Sequence, residues 1–154
     1  MTRTSEPEPK TAPRLAEFLC FAMYSANLTF GKAYKPMLAQ LGVTYTQYIA
    51  VVALWERDGQ TVSELGETLF LESNTLTPLL KKLQAMGLVR RERDAANERH
   101  VRLSLTPEGR LLREQAIALS APLVDACGLS HDGFNATRLA VVKVRDSLVN
   151  AVAA

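Results

Sequence analysis

The feature that most constrains this chain is a change of hydrophobic period near its middle. Leu76, Leu79, Leu80, Leu83 and Met86 are spaced i, i+3, i+4, i+7 and i+10, the stripe of an amphipathic helix. Gly87 stops it, with Leu88 placed for the apolar contact of a glycine cap. The pattern then turns strand-like. Leu88-Val-Arg-Arg91 and His100-Val-Arg-Leu-Ser-Leu105 alternate or run apolar around a polar tip, Arg93 to Arg99. Thr106-Pro107-Glu108 follows: a cap, a proline at the first helical position and an acid in the first turn. A helix, a charged hairpin and a freshly capped helix, in that order, predict a recognition helix followed by a two-stranded wing.

The flanking sequence fits around that centre. Leu15, Phe18, Leu19, Ala22 and Ala26 predict a first helix running to about Tyr34, which Pro36 interrupts and Gly42 closes. Thr44 or Thr46 caps a second helix bearing Tyr48, Val51, Val52 and Trp55 and ending at Asp58-Gly59. Thr61-Val-Ser-Glu64 reads as a capping box for a short third helix with Leu65 and Leu69. Ser73 is the expected cap of the recognition helix, and Pro78 predicts an irregular first turn there. A long helix from Thr106 to about Ala126 and a last one from Asp132 or Asn135 complete the chain. The fold class is mainly α with a small β wing: a winged helix-turn-helix over 46–106, flanked by helical dimerisation segments at 14–45 and 107–154. The polar, proline-rich residues 1–13 are expected to be a disordered tail. The first and last helices carry more Ala, Val and Leu than a small monomer needs, so a homodimer is expected.

The chain has 154 residues, 47% of them apolar, so it can build one core. Its net charge is only +2, but Lys81 to Arg102 holds seven Lys or Arg against three acids, a local +4 that leaves −2 for the rest. A helix in the major groove needs an apolar face toward its own domain and short polar groups on the other. The outer face here offers Ser73, Asn74, Thr75, Thr77, Pro78, Lys81 and Lys82. Hydroxyls and the Asn amide can read base edges, and lysines can hold phosphates. Arg93 and Arg99 at the wing are placed for the flanking minor groove or backbone. Double-stranded operator DNA, a pseudo-palindrome matched to a symmetric dimer, is the partner these features imply. Neither a membrane span nor a secretory signal is read in the chain, so a cytoplasmic protein with reduced thiols is expected.

Beyond the pattern, the sequence resembles the MarR family of winged-helix regulators over roughly residues 15 to 150. The resemblance is strongest from Val62 to Gly109, including Asn97-Glu98-Arg99 and Leu105-Thr-Pro-Glu-Gly109. Leu19-Cys20-Phe21-Ala22, Tyr24-Ser25, Tyr34-Lys-Pro36, Leu41-Gly-Val-Thr-Tyr45-Thr-Gln-Tyr48 and Leu54-Trp55-Glu56 are similar to the organic hydroperoxide resistance regulators (OhrR) of that family. One departure is Asn97, where family members commonly carry Asp. A neutral amide weakens an ion pair there and loosens the hold on Arg99.

Spacing alone leaves Cys20 open between an inert packed thiol and a sensor. It sits off the apolar stripe, on the face of Tyr24 and Asn27. No Arg or Lys lies within a helical turn to lower its pKa. The resemblance implies more: Cys20 corresponds to the family's peroxide-reactive cysteine, Tyr34 and Tyr45 to the tyrosines that hydrogen-bond its thiolate across the dimer, and Cys127 to the resolving cysteine of the two-cysteine members. It further implies oxidation by organic hydroperoxides, a Cys20–Cys127 disulfide between subunits, and release of operator DNA by a repressor. Phe18, Phe21 and Met23 near Cys20 fit an organic peroxide, and fit a core equally well.

Two other classes compete. One is a regulator of the same fold gated by a small aromatic ligand, with Cys20 incidental. The other is a thiol peroxidase, against which stands the lack of a positive group near Cys20 to stabilise the leaving oxygen. No enzyme activity, cofactor or metal site is expected. His100 and His131 are the only histidines and read as a strand residue and a helix-entry residue.

Overall fold

The computed structural model describes Ala12 and residues 14–153. The tail expected over 1–13 lies, Ala12 apart, outside the described residues. The chain forms two compact units, one up to Lys35 and one from Pro36 onward.

In the first unit a single 3-10 turn, Leu15–Glu17, precedes α1 (Leu19–Leu41). The helix therefore starts later than the apolar spacing predicts, because Phe18 is extended (φ −79°, ψ 115°) and separates the two. Pro36 does not interrupt α1, contrary to expectation. It deletes one N–H bond, and the remaining ladder carries the helix on to Leu41. No described residue up to Lys35 is buried; Leu15, Leu19 and Leu28 are each half or more exposed. The expected stripe is real as a pattern but packs on nothing within this unit.

The second unit takes the last turn of α1, then α2 (Tyr45–Glu56), α3 (Val62–Leu69), α4 (Ser73–Ala85), β1 (Val89–Arg93), β2 (Val101–Leu105), α5 (Pro107–Asp125) and α6 (His131–Ala153). Helices with one small antiparallel sheet make it mainly α with a β wing, as the sequence predicts. Its core is aliphatic: Val51, Leu54, Leu65, Leu76, Leu80, Leu83, Val89 and Leu103 are almost wholly shielded. Leu76, Leu79, Leu80 and Leu83 are the predicted recognition-helix stripe, all buried. Met86 is not: α4 ends at Ala85, Met86 is the residue that caps it, and its side chain is 42% exposed.

Local chemistry sets the boundaries. Thr44 closes a full capping box with Gln47, and Thr61 one with Glu64. The Glu64 carboxylate is held below its usual pKa, first by the Thr61 backbone N–H. Glu72, not Ser73, precedes α4, and its side chain makes no cap bond. Its carbonyl instead accepts both Thr75 N and Leu76 N, at 3.0 and 2.9 Å. That leaves Ser73 as the first helical residue. Pro78 falls in the second turn and α4 runs through it, so the irregular first turn predicted for it is not what the proline produces. Gly87, at φ +73°, closes α4: its N–H reaches Gln84 O at 3.0 Å and Leu88 N reaches Leu83 O at 3.0 Å, with Leu88 buried. The last helix begins at His131 rather than Asp132 or Asn135, since the Ser130 hydroxyl accepts Gly133 N at 3.1 Å.

The strands sit one or two residues from their predicted bounds, in the register Val89↔Leu105, Arg91↔Leu103 and Arg93↔Val101. The link between α2 and α3 lies along the outer edge of β2: Leu103 N donates to Gln60 O at 2.9 Å, and Thr61 bridges Arg102. At the hairpin root, Thr106 caps α5 by accepting Gly109 N, while its hydroxyl donates to Gly87 O at 2.6 Å and its N–H to Leu88 O at 3.1 Å. Gly109 has no space for a side chain. A Cβ there would collide with the Leu88 carbonyl oxygen and press on Leu105 at 3.1 Å. Gly109→Ala is therefore expected to destabilise the protein by about 2 kcal/mol or more, within the usual overpacking range. Urea unfolding, with the slope unchanged and the midpoint lowered, checks it.

Candidate nucleic-acid interface and cysteine sites

The predicted readout residues lie on one exposed side of α4. Ser73, Asn74, Thr75, Pro78, Lys81 and Lys82 are exposed, and Thr77 is half-buried. The Thr75 hydroxyl donates to Asn74 Oδ1 at 3.3 Å, so the two polar side chains of the first turn are already aligned with each other. Asn74 also gains a backbone acceptor. Pro78 lacks the N–H that its carbonyl would take in a regular helix.

The wing tip is built around Asp94, which the sequence reading passed over. Asp94 is buried, 9% exposed, directly after β1. Its Oδ1 accepts Ala96 N at 2.9 Å and its Oδ2 accepts Arg102 Nε at 2.7 Å. Arg102 also donates to Gly59 O at 2.9 Å. One of the seven basic residues counted toward the local charge is thus tied into the hairpin. The signal was present as an Asp at the foot of a turn, a position where the side chain closes on the backbone two residues ahead.

Arg93 is the last residue of β1 and Arg99 lies in the turn; both are exposed. Arg99 N donates to Asn97 Oδ1 at 3.2 Å, so Asn97 organises the turn through the backbone. His100 stands just before β2 rather than in it, and its N–H donates to Asn97 O at 2.9 Å.

The Ala96 amide, and then Arg102, hold the Asp94 carboxyl below the ordinary carboxylate range. A depressed folded pKa means the bond's contribution is full above the unfolded value, about 3.9 for Asp, and is lost as pH falls through the lower folded value. Protection of the amides over 94–102, relative to their intrinsic exchange rates, is expected to fall below about pH 4 in the wild type. In Asp94→Asn it should be low throughout and show no such step.

The cysteine residues fall in both units. Cys20 is the second residue of α1, an exposed free thiol, with Phe18 and Phe21 exposed and Met23 half-buried on the same segment. Phe21 and Tyr24 rings lie 6.4 Å apart. Tyr34 lies on the same helix, half-buried. Fourteen residues of helix put it about 21 Å further along the axis from Cys20, at 1.5 Å per residue. The Tyr34 of one chain cannot reach the Cys20 of that chain.

In the second unit Tyr45 opens α2, 43% exposed. Tyr48, one turn on, packs edge-on to Trp55 at 6.2 Å. Burial, and then the neighbouring Tyr45, raise the Tyr48 hydroxyl above its usual pKa. Cys127 follows α5 as a half-buried free thiol whose Sγ donates to Leu123 O at 3.4 Å.

His131 opens α6 next to Asn135. Among the described residues no three His, Cys, Asp or Glu side chains gather as a metal would need. Among them also, no single helix is long and apolar enough to cross a membrane.

Comparison with known proteins places this arrangement. A family model described as transcriptional regulator SarA/Rot matches residues 32–115. The organic hydroperoxide resistance transcriptional regulator of Bacillus subtilis is 37% identical over 88% of this chain and 92% of that protein. The transcriptional regulator TtmR of Methylorubrum extorquens is 41% identical over 96% of this chain and 74% of its own length. Among solved structures, reduced AbfR bound to DNA, a protein of Staphylococcus epidermidis, is 34% identical with a TM-score of 0.76, covering 90% of this chain and 94% of that one. The same protein in a disulfide-formed state matches at 32% identity and a TM-score of 0.61, over 91% and 93%. The chain belongs to the MarR family of winged-helix transcriptional regulators. Within it, its relatives include an organic hydroperoxide resistance regulator, and they are regulators rather than enzymes.

Proposed function

We propose that the chain is a cytoplasmic, redox-sensing repressor of transcription. It binds a pseudo-palindromic operator as a homodimer and releases it when an organic hydroperoxide oxidises Cys20. One observation carries the reading: an exposed free thiol opens α1 in a chain similar to AbfR, a protein known both reduced on DNA and with a disulfide formed.

In this reading residues 46–106 bind DNA, and 14–45 with 107–154 form the dimer. Leu139, Leu148, Val149 and Val152 of α6 are 46–86% exposed, which favours a second copy of the chain as their cover. Ser73, Asn74, Thr75 and Thr77 read base edges, Pro78 packs against the groove wall, Lys81 and Lys82 hold phosphates, and Arg93 and Arg99 grip the flanking backbone or minor groove.

The chemistry takes two steps. The Cys20 thiolate attacks the peroxide O–O bond; the distal oxygen stays on sulfur as a sulfenic acid, and the alkoxide leaves and is protonated to the alcohol. The Cys127 thiol of the other subunit then attacks that sulfur, a disulfide forms, and water departs. Tyr34 and Tyr45 hydrogen-bond the thiolate before oxidation, so its loss, and then the pull at the end of α5, turn the recognition helices away from half-sites about 34 Å apart.

A small-ligand reading has one observation in its favour. A cleft of about 440 Å³ lies beside Trp55, Asp58, Leu105, Arg110, Arg113 and Ile117, a volume that suits a small aromatic.

Fluorescence anisotropy on the DNA upstream of its own gene separates the readings. Reduced wild type is expected to bind as a dimer and to release after one equivalent of organic hydroperoxide, whereas Cys20→Ser stays bound. Equal affinity of reduced and oxidised protein would sink the redox reading, and release of Cys20→Ser by an aromatic acid would favour the ligand. Lys81→Ala is expected to weaken all sequences alike and lower the salt slope by about one.

A further inference from the structure

Phe70 stands where a glycine is usual. It closes α3 with φ +55° and ψ 37°, the one left-handed residue among the described residues that is not glycine. The bonding there is that of a glycine-terminated helix: Phe70 N reaches Glu67 O at 3.4 Å and Leu71 N reaches Gly66 O at 3.0 Å. α4 closes the same way with Gly87 in the matching place. A bulky residue in this conformation is strained, which directs attention to what its side chain does. Yet Phe70 is 56% exposed and fills no core.

What its ring meets is Arg145 of α6, whose guanidinium carbon lies 4.7 Å from the ring centroid. Asp146 aims that guanidinium, its Oδ1 accepting from Nε at 2.8 Å and from a terminal nitrogen at 2.7 Å. An exposed cation over a ring and an exposed ion pair add little to global stability. Their effect is on geometry. The turn at Phe70 leads, two residues on, into Glu72, whose carbonyl starts α4.

We propose that Phe70 and Arg145 are positioning residues for the recognition helix: their contact fixes the turn before α4 to α6 and so sets the angle at which α4 meets DNA. Neither residue needs to touch a base. The proposal rests on the reading of α4 as the DNA-contacting helix.

The test uses the full chain, reduced, with three variants. Phe70→Gly removes the ring and relieves the backbone, so its thermal midpoint should not fall. Arg145→Gln removes the cation and keeps the length. Phe70→Trp keeps an aromatic face. Amide exchange over 71–76 and operator affinity are measured together. Phe70→Gly and Arg145→Gln are expected to speed exchange about fivefold or more and to weaken operator binding about tenfold, with Phe70→Trp near wild type. Wild-type exchange and affinity in Arg145→Gln would overturn the inference while leaving the DNA reading intact. Faster exchange with unchanged affinity would overturn it too, since the contact would then position nothing that DNA reads. A wild type that binds no operator fails the α4 reading first and the inference with it.

Discussion

Four chain segments meet at the root of the hairpin, and the winged unit depends on that joint. The Thr106 hydroxyl accepts Gly109 N and donates to Gly87 O, while Thr106 N reaches Leu88 O. Trp55 of α2 donates its indole N–H to Gly109 O at 2.8 Å. The end of α4, the return of β2, the start of α5 and the side of α2 are thereby fixed by one hydroxyl and one residue without a side chain. Asp58 adds a second tie, accepting Leu105 N at 2.9 Å and Arg110 at 2.7 Å. The wing and the end of α4 are thereby tied to one another, and the DNA-binding role proposed for them would require such a tie.

The element boundaries, unlike the ties of that joint, were largely legible in the sequence, for a physical reason. The capping box at Thr61, a threonine cap at Thr44 or Thr46, the glycine stop at Gly87 and the Thr-Pro-Glu start of α5 are local devices whose partners lie within a few residues, and the structure settles the second on Thr44. Periodicity exposed the α4 stripe because Leu76, Leu79, Leu80 and Leu83 all face one aliphatic core. What was misread depends on competition between neighbours. Ser73 is the better capping side chain, but the Glu72 carbonyl reaches two amides and takes the position. Pro36 looks like a break and Pro78 like the cause of an irregular first turn, yet both helices run on: α4 has buried leucines on either side of its proline, and α1 has Met37, Leu38 and Leu41 buried directly after its own. The candidate site divides in the same way. Exposed polar residues on α4 follow from the helical period, and Asp94 is signalled by its place at the foot of the turn, whereas its pairing with Arg102 and the contact of Arg145 with Phe70, 75 residues away, carry no local signal.

Charge in this molecule is less free than a count implies. Arg57, Arg102 and Arg110 are each held at 2.7 Å by a carboxylate, that of Glu64 in α3, of Asp94 in the turn of the wing and of Asp58 in the link after α2. Lys81, Lys82, Arg93 and Arg99 have no such partner among the described residues and stand exposed on α4 and the hairpin. Bound arginines shape the domain, whereas the polyanion contact proposed above for the other four cations would draw on released counterions.

A two-stranded sheet ordinarily presents two open edges, each a template for another chain. Here the outer edge of β2 is occupied by Gln60 and Thr61, and β1 carries Arg90, Arg91, Glu92 and Arg93 in succession. One edge is covered and the other is studded with charge. The small sheet can therefore project from the domain at high protein concentration without recruiting a foreign strand, and the wing is protected from aggregation by the same residues that give it its shape.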